Sequence, residues 1–517
     1  MDEIKRLRIW LTNLFLLILQ LANQFQPKTK MKKTFCAWVR TGMLGLALLA
    51  CAACGGDNDE MPASGTETET DGGSGSDSGE KPDEGNPDEE NNPDEEIPEG
   101  EVTSTISSAA ELEALGPLEA GRTIIWKDGT YDAQKIHLTG TGSEAEPILF
   151  RAENPGGVRF TGASTLSIDG SYLHVSGFQW IDPVPDGEHL IRFESGSQAC
   201  RLEDCAIDGS GSESDAVNST KWVSLYGTHN VVTHCRFENK NNMGALCVVW
   251  LEEGVTAGHE ISYNHFSRPE TILDADGEPA NEQETIRVGD SAHSMQKGGC
   301  VVKGNYFYRC NGEAQEIVSN KCCGNTYSGN VFYESKGTLT LRQGNGCTVS
   351  GNYFLGNDIA DTGGVRIIGE DHVVEENWFE RLNSVGYKAA LCLVRGEENV
   401  SLSGYAQVKN ALVKGNTFVD CNLAMHINYG SSNMTLPVIS SRIEDNIAVV
   451  PEGNTSNYVV RYEDSDPQAE ITWSNNRFYG RFKNDHFGLT ALKVRPDVGN
   501  AAAEMDAIEQ AAGTSWE

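Results

Sequence analysis

Three cations recur in phase through the middle of the chain. Lys321 stands 9 residues before Asn330, Arg342 stands 10 before Asn352, and Arg366 stands 11 before Asn377, with Glu313 and Glu316 just upstream of Lys321. A single cation on a long surface is most often merely solvated. Three at one phase, beside carboxylates, form a local positive patch that can meet an anionic substrate, and this column is the candidate active site. Hydrolysis of a glycosidic bond would need a pair of flanking carboxylates. The column holds Lys and Arg instead, which argues against a glycoside hydrolase of the polygalacturonase kind.

The asparagines that set this phase belong to a phrase written four times between Val301 and Glu380: VVKGNYF, YSGNVF, VSGNYF and VEENWF. Asn305, Asn330, Asn352 and Asn377 are 25, 22 and 25 residues apart. A step in the twenties marks a solenoid, in which each repeat buries its apolar face only against its neighbours. Looser copies such as VTHCRF and ISYNHF precede the four, and VKGNTF, IEDNIA and WSNNRF follow them. Short strands, an Asn turn slot and inward Phe, Val and Ile predict an all-β parallel β-helix, with a short helical cap near 109–115. The rungs lack the L-x-x-L-x-L of a leucine-rich repeat. Stacked Asn amides are expected to hydrogen-bond along the axis, and Asn itself to take the left-handed turn conformation. If the rungs stack, the three cations stack on one outward face about 5 Å apart per rung. TLTLRQG and GVRIIG alternate cleanly, with Leu339, Leu341, Val365 and Ile367 inward and Arg342 and Arg366 outward. Lys321 needs a bend or bulge to share that face. Two intervals are long, Asn264 to Asn305 at 41 residues and Asn377 to Asn416 at 39. Insertions in solenoids map to loops, and these two are expected to wall a cleft around the cations.

The formal charge of −35 divides into +6 over residues 1–56, −17 over 57–101 and −24 over the rest. A domain this acidic argues against nucleic acid as a partner. Apart from Cys51 and Cys54 within the signal-like segment, the cysteines show no C-x2-C zinc spacing, and Cys205, Cys235, Cys310 and Cys421, at or just after the repeat phrase, read as buried thiols of the stack. Residues 1–30 read as a mis-called extension. Residues 31–54 resemble a bacterial lipoprotein signal in which Cys51 or Cys54 is lipidated, and Cys54 before GGDNDE looks like the Bacteroidetes form. A transmembrane anchor is the competing reading of this segment. Residues 55–101 read as a disordered acidic linker, and 102–517 as the β-helix domain. The expected location is therefore the cell envelope of a Gram-negative, Bacteroidetes-like bacterium, with membrane contact only through the lipid.

NGEAQEIVSNK, followed 21 residues after its Lys by the Arg of LTLRQG and then by GGVRIIGEDHVVEENWFE, resembles polysaccharide lyase family six. That family holds alginate lyases and chondroitinase B on a right-handed parallel β-helix. The opening stretches GRTIIWKDGTY and EPILFRAENPGGVRFTG are similar to its first rungs. The resemblance implies β-elimination across a 4-linked uronic acid, with Lys321 as the base that removes the C5 proton and Arg342 as the acid or support for the departing O4. A Lys is a base only when neutral, a form that neighbouring positive charge favours. Arg366 would bind a substrate carboxylate, and Gln343, where the family has His, would touch a neighbouring sugar. Tyr429 could reach the cleft from a later rung, or be a packed turn aromatic. The resemblance also implies calcium held by an Asn and two Glu, which neutralises the substrate carboxylate. Here Glu316 is kept, Ala314 stands where its partner should be, Glu313 could substitute, and Asn281 and Glu284 match the remaining ligand region. Either calcium binds through that altered set, or Arg342, Arg366 and water replace it.

The implied partner is an anionic polysaccharide, alginate first and dermatan or chondroitin sulphate second, since sulphate would favour a more basic cleft. A non-catalytic glycan-binding solenoid is the alternative outside enzymes. It would need stacking aromatics and no base, and Trp180, Trp250 and Trp378 could serve it.

Overall fold

A computed structural model describes residues 103–212, 215–454, 456–463 and 470–516. The extension, signal and linker expected over 1–101 lie outside the described residues. Among those described, no helix is long and apolar enough to cross a membrane.

Each full rung contributes one strand to each of three parallel sheets, which hold 14, 13 and 14 strands, so the expected parallel β-helix is the fold. The periodic residues explain why. Phe266, Phe307, Phe332, Phe354, Phe379 and Phe418 stack in the core with successive ring centroids 4.5 to 5.1 Å apart. Beside them the asparagines form a continuous ladder. The backbone N–H and the side-chain Nδ2 of Asn305 both donate to Asn330 Oδ1, at 3.0 and 2.9 Å. The same double contact links Asn330 to Asn352, Asn352 to Asn377, Asn377 to Asn416 and Asn416 to Asn446. The second Nδ2 hydrogen of Asn330 goes to the Val302 carbonyl at 2.9 Å. Every polar atom of these buried amides is thereby satisfied, which the apolar surroundings require.

The left-handed conformation falls one residue earlier than expected. Gly304, Gly329, Gly351, Glu376, Gly415 and Asp445 have φ between 56° and 63°, while the asparagines after them do not. The kink before each Asn points its amide inward along the axis. Gly is common in that slot because it takes positive φ without strain.

The cap is the helix Ala109–Ala114, whose first turn is capped by the Ser108 hydroxyl and whose Leu112 is buried. At the far end the chain turns back along the outside of the second sheet. Its helix Ala502–Ala511 brings Met505 and Ile508 over Tyr306, Val331 and Leu355, and Trp516 donates to the Asp204 carbonyl at 3.3 Å. Among the described residues 11 cysteines are free, all but Cys323 buried, and burial pushes the Cys205, Cys310 and Cys421 thiols up to about 12.

Replacing Asn330 with Ala strands the Asn305 donors in the core, at a cost on the order of 2–4 kcal/mol. Urea unfolding of that variant should show a clearly lowered midpoint. An unchanged midpoint would mean that the ladder does not hold the rungs.

Candidate active site

The cations sit on three neighbouring strands of the third sheet: Glu316–Lys321, Gly337–Gln343 and Thr362–Ile367. Leu339, Leu341, Val365 and Ile367 are fully buried, so Arg342 and Arg366 point outward as their alternation requires. The anticipated bulge lies between Asn320 and Lys321. It sets Lys321 against Gln343 and brings it to the outward face. The cations do not, however, form the straight column that their phase suggested. Arg366 pairs with Thr340, two residues before Arg342. The offsets of 9, 10 and 11 residues from the ladder carry the direction of this stagger but not its full two residues. Lys321, Arg342 and Arg366 therefore spread across the face as a patch.

Carboxylates stand beside the patch. Lys321 Nζ is 3.8 Å from Glu284 Oε1, and Arg366 Nη1 is 3.8 Å from Glu316 Oε1. Burial, reinforced by the charges of Glu284 and Glu316, pushes the Glu313 carboxyl up to about 8. Burial also raises Glu316, against the pull of Arg366. Glu313 Oε2 and Glu284 Oε2 are buried without a hydrogen-bond partner.

This donor set does not fit the calcium site that the resemblance implies. Ala314 supplies no oxygen from its side chain. Asn281 is exposed, because buried Gln283 ties the loop to Ile272 and Ala280 and turns Glu284, not Asn281, into the site. The head groups of Lys321 and Arg366 already stand beside Glu284 and Glu316. Among the described residues no three His, Cys, Asp or Glu side chains converge as a metal-holding group.

The two insertions meet over the patch, as their lengths suggested. Ser294 Oγ lies 3.5 Å from the Leu402 carbonyl, and a cleft of about 250 Å³ opens between Ser294, Met295, Val400, Leu402, Arg342 and Gln343. The second insertion holds the arginines. Arg342 donates to the carbonyls of Ser403 at 2.9 Å and Gly404 at 3.0 Å, and its guanidinium lies 4.3 Å from the Tyr405 ring centroid. Arg366 donates to Tyr405 Oη at 3.2 Å and sits 5.0 Å from the Tyr387 ring. Neither tyrosine belongs to the repeat phrase. Their only sequence signal is their place in the 39-residue interval. Gln343 is buried at the cleft edge. Tyr429 is half-buried in a side cluster, its ring 6.1 Å from Tyr387, one aromatic removed from Arg366. A larger concavity of about 1080 Å³, between Asp182–Glu188 and Asn241–Asn242, is lined by no Lys, Arg or His.

A family model described as Chondroitinase B matches residues 106–501. Among solved structures, the chain is similar to the PL6 family alginate lyase AlyGC, with 29% identity and a TM-score of 0.70 over 80% of this chain and 57% of that one. It thus spans little more than half of that relative's length. A mannuronic acid specific polysaccharide family 6 lyase from human gut microbiota is 26% identical at a TM-score of 0.65, over 80% of this chain and 97% of that one. A PL6 family polysaccharide lyase from Pseudopedobacter saltans, at 22% identity and a TM-score of 0.63 over 81% and 100%, shares the fold. No curated protein matches the sequence.

Folding raises the Glu313 carboxyl from its ordinary value of 4.5, so its proton is held more tightly in the native state. The resulting stabilisation is complete below that ordinary value and is withdrawn as pH rises through about 8. Glu313→Gln cannot ionise. Its melting temperature relative to the parent should climb across this window, and a pH-independent difference would place Glu313 in a wetter setting.

Proposed function

The chain belongs to the chondroitinase B family, polysaccharide lyase family six, and from that premise we propose that it cleaves alginate by β-elimination. The observation that carries this reading is the patch formed by the partly exposed Lys321 amine with Arg342 and Arg366 on three neighbouring strands, of which Arg342 lines a cleft walled by the two insertions. Alginate is favoured by the alginate-lyase and mannuronic acid specific neighbours and by the acidity of the domain. The family model's own description keeps a dermatan or chondroitin substrate as the second arm of the test.

The C5 proton of a uronate is scarcely acidic while the adjoining carboxylate keeps its full charge. In this reading Arg366, fixed by Tyr405 and Tyr387, meets that carboxylate with its N–H fork. Glu313, protonated below about 8, donates its O–H to the same group. A neutral carboxyl held for this purpose is a known use of burial. Lys321 takes the C5 proton, the C–H electrons form the C4–C5 double bond, and the C4–O4 bond breaks with its electron pair going to O4, which is protonated by Arg342 or, while the Arg342 N–H donors hold it, by water. The carbonyls of Ser403 and Gly404 hold that guanidinium in place before the sugar arrives. The site is read as free of calcium, because Ala314 offers no side-chain ligand and Lys321 and Arg366 already stand beside Glu284 and Glu316. Lipidation at Cys51 or Cys54 would tether the domain to the cell envelope.

The ultraviolet absorbance of the unsaturated product measures the reaction. It should rise with alginate and persist in EDTA. Lys321→Ala should lower the rate by at least about 10²-fold, in the range set by loss of a general base. A rise with dermatan sulphate alone would move the substrate to the second arm, and no rise on any uronate polymer would sink the lyase reading.

A further inference from the structure

We infer that the cleft continues along the third sheet, toward the N-terminal rungs, as a second anion-binding track for the polysaccharide, built from Arg192, Tyr226, Trp250 and Arg287. The inference rests on the lyase reading for its ligand class, a 4-linked polyuronate. Its evidence is separate, because none of these residues belongs to the patch around Lys321.

The first observation is register. Arg192, Arg287 and Arg366 occupy one unbroken column of cross-strand partners, with two strands between each pair. The intervening positions include Ser224, Ser319 and Thr340, small side chains that leave the floor low between the arginines. At a rung spacing of about 4.8 Å, successive arginines lie roughly 14 Å apart. One rung is comparable to the length of one pyranose, so a chain lying along the axis could offer carboxylates to each guanidinium.

The second observation is a four-layer stack. The Tyr226 and Trp250 rings lie parallel, with centroids 5.5 Å apart and an interplanar angle of 6°. Arg192 covers the outer face of Tyr226 at 4.7 Å, and Arg287 covers that of Trp250 at 4.9 Å. The guanidiniums block both ring faces, so the aromatics act as spacers that hold two cations at a fixed separation. Arg192 shares its charge with Glu194 at 3.1 Å. Arg287 makes no ion pair with the described residues, and its Nε is buried without a hydrogen-bond partner. In so acidic a domain, a brace would be expected to give that charge a counter-ion. A polyanionic ligand supplies one.

The test compares a tetrasaccharide with a dodecasaccharide of alginate, using the whole protein. The parent should prefer the longer substrate in kcat/KM. Arg287→Gln and Trp250→Ala should each reduce that preference by about tenfold or more, the scale of a lost charge-assisted hydrogen bond. Trp250→Phe, which keeps a ring under Arg287, should restore most of it. Calorimetry on Lys321→Ala protein gives an independent readout: adding Arg287→Gln should weaken dodecasaccharide binding and flatten its salt dependence. An unchanged preference, or a loss that falls equally on short and long substrates, overturns the track. Arg287-dependent binding by a protein that yields no unsaturated product would support the track and sink the lyase reading alone.

Discussion

The rest of the structure depends on the asparagine ladder. A solenoid has no global core to correct a slipped rung, so each rung must be indexed against the next. Two hydrogen bonds per step from one buried amide to the next do this from Asn264 to Asn476, and a misplaced rung would leave several buried donors unmet. With that edge of each rung fixed, small differences in strand length accumulate on the opposite sheet. There a single bulge turns Lys321 outward, and a two-residue stagger separates Arg366 from Arg342. The ladder thus positions the site without touching it.

Electrostatics then work against the average of the molecule. The domain is strongly acidic, yet the carboxylates nearest the patch are covered and stand beside cations. Glu284 lies buried beside Lys321, Glu316 and Arg366 stand side by side with both side chains largely covered, and burial pushes the Glu313 carboxyl up to about 8.

Much of this was legible in the sequence, because a solenoid writes its geometry as period. The Asn phrase fixed the fold and foretold the ladder, and the phase of Lys321, Arg342 and Arg366 located the patch. The alternation of LTLR and VRI gave the outward direction, and the break in alternation before Lys321 announced the bulge. Period says nothing about residues outside it. Tyr387, Tyr405 and the Ser403 and Gly404 carbonyls sit in an insertion with no repeat, so only the length of that interval pointed to them. Asn281 was misplaced for a related reason. The resemblance that matched Asn281 and Glu284 to the ligand region could not show that Gln283 pins the loop and turns the amide outward. The returning C-terminal helix was also silent, since its few apolar residues match no rung and are explained only by the tyrosine face they cover.

The central claim is that the chain breaks a 4-linked uronan by elimination and not by hydrolysis. The most direct measurement is the mass of both products from a single oligosaccharide of defined length. Elimination predicts that the two masses sum to that of the substrate, with the fragment carrying the new double bond lighter by one water than its saturated counterpart. A sum equal to substrate plus one water would contradict the account, because it would require an activated water that the patch of Lys321, Arg342 and Arg366 is not built to supply.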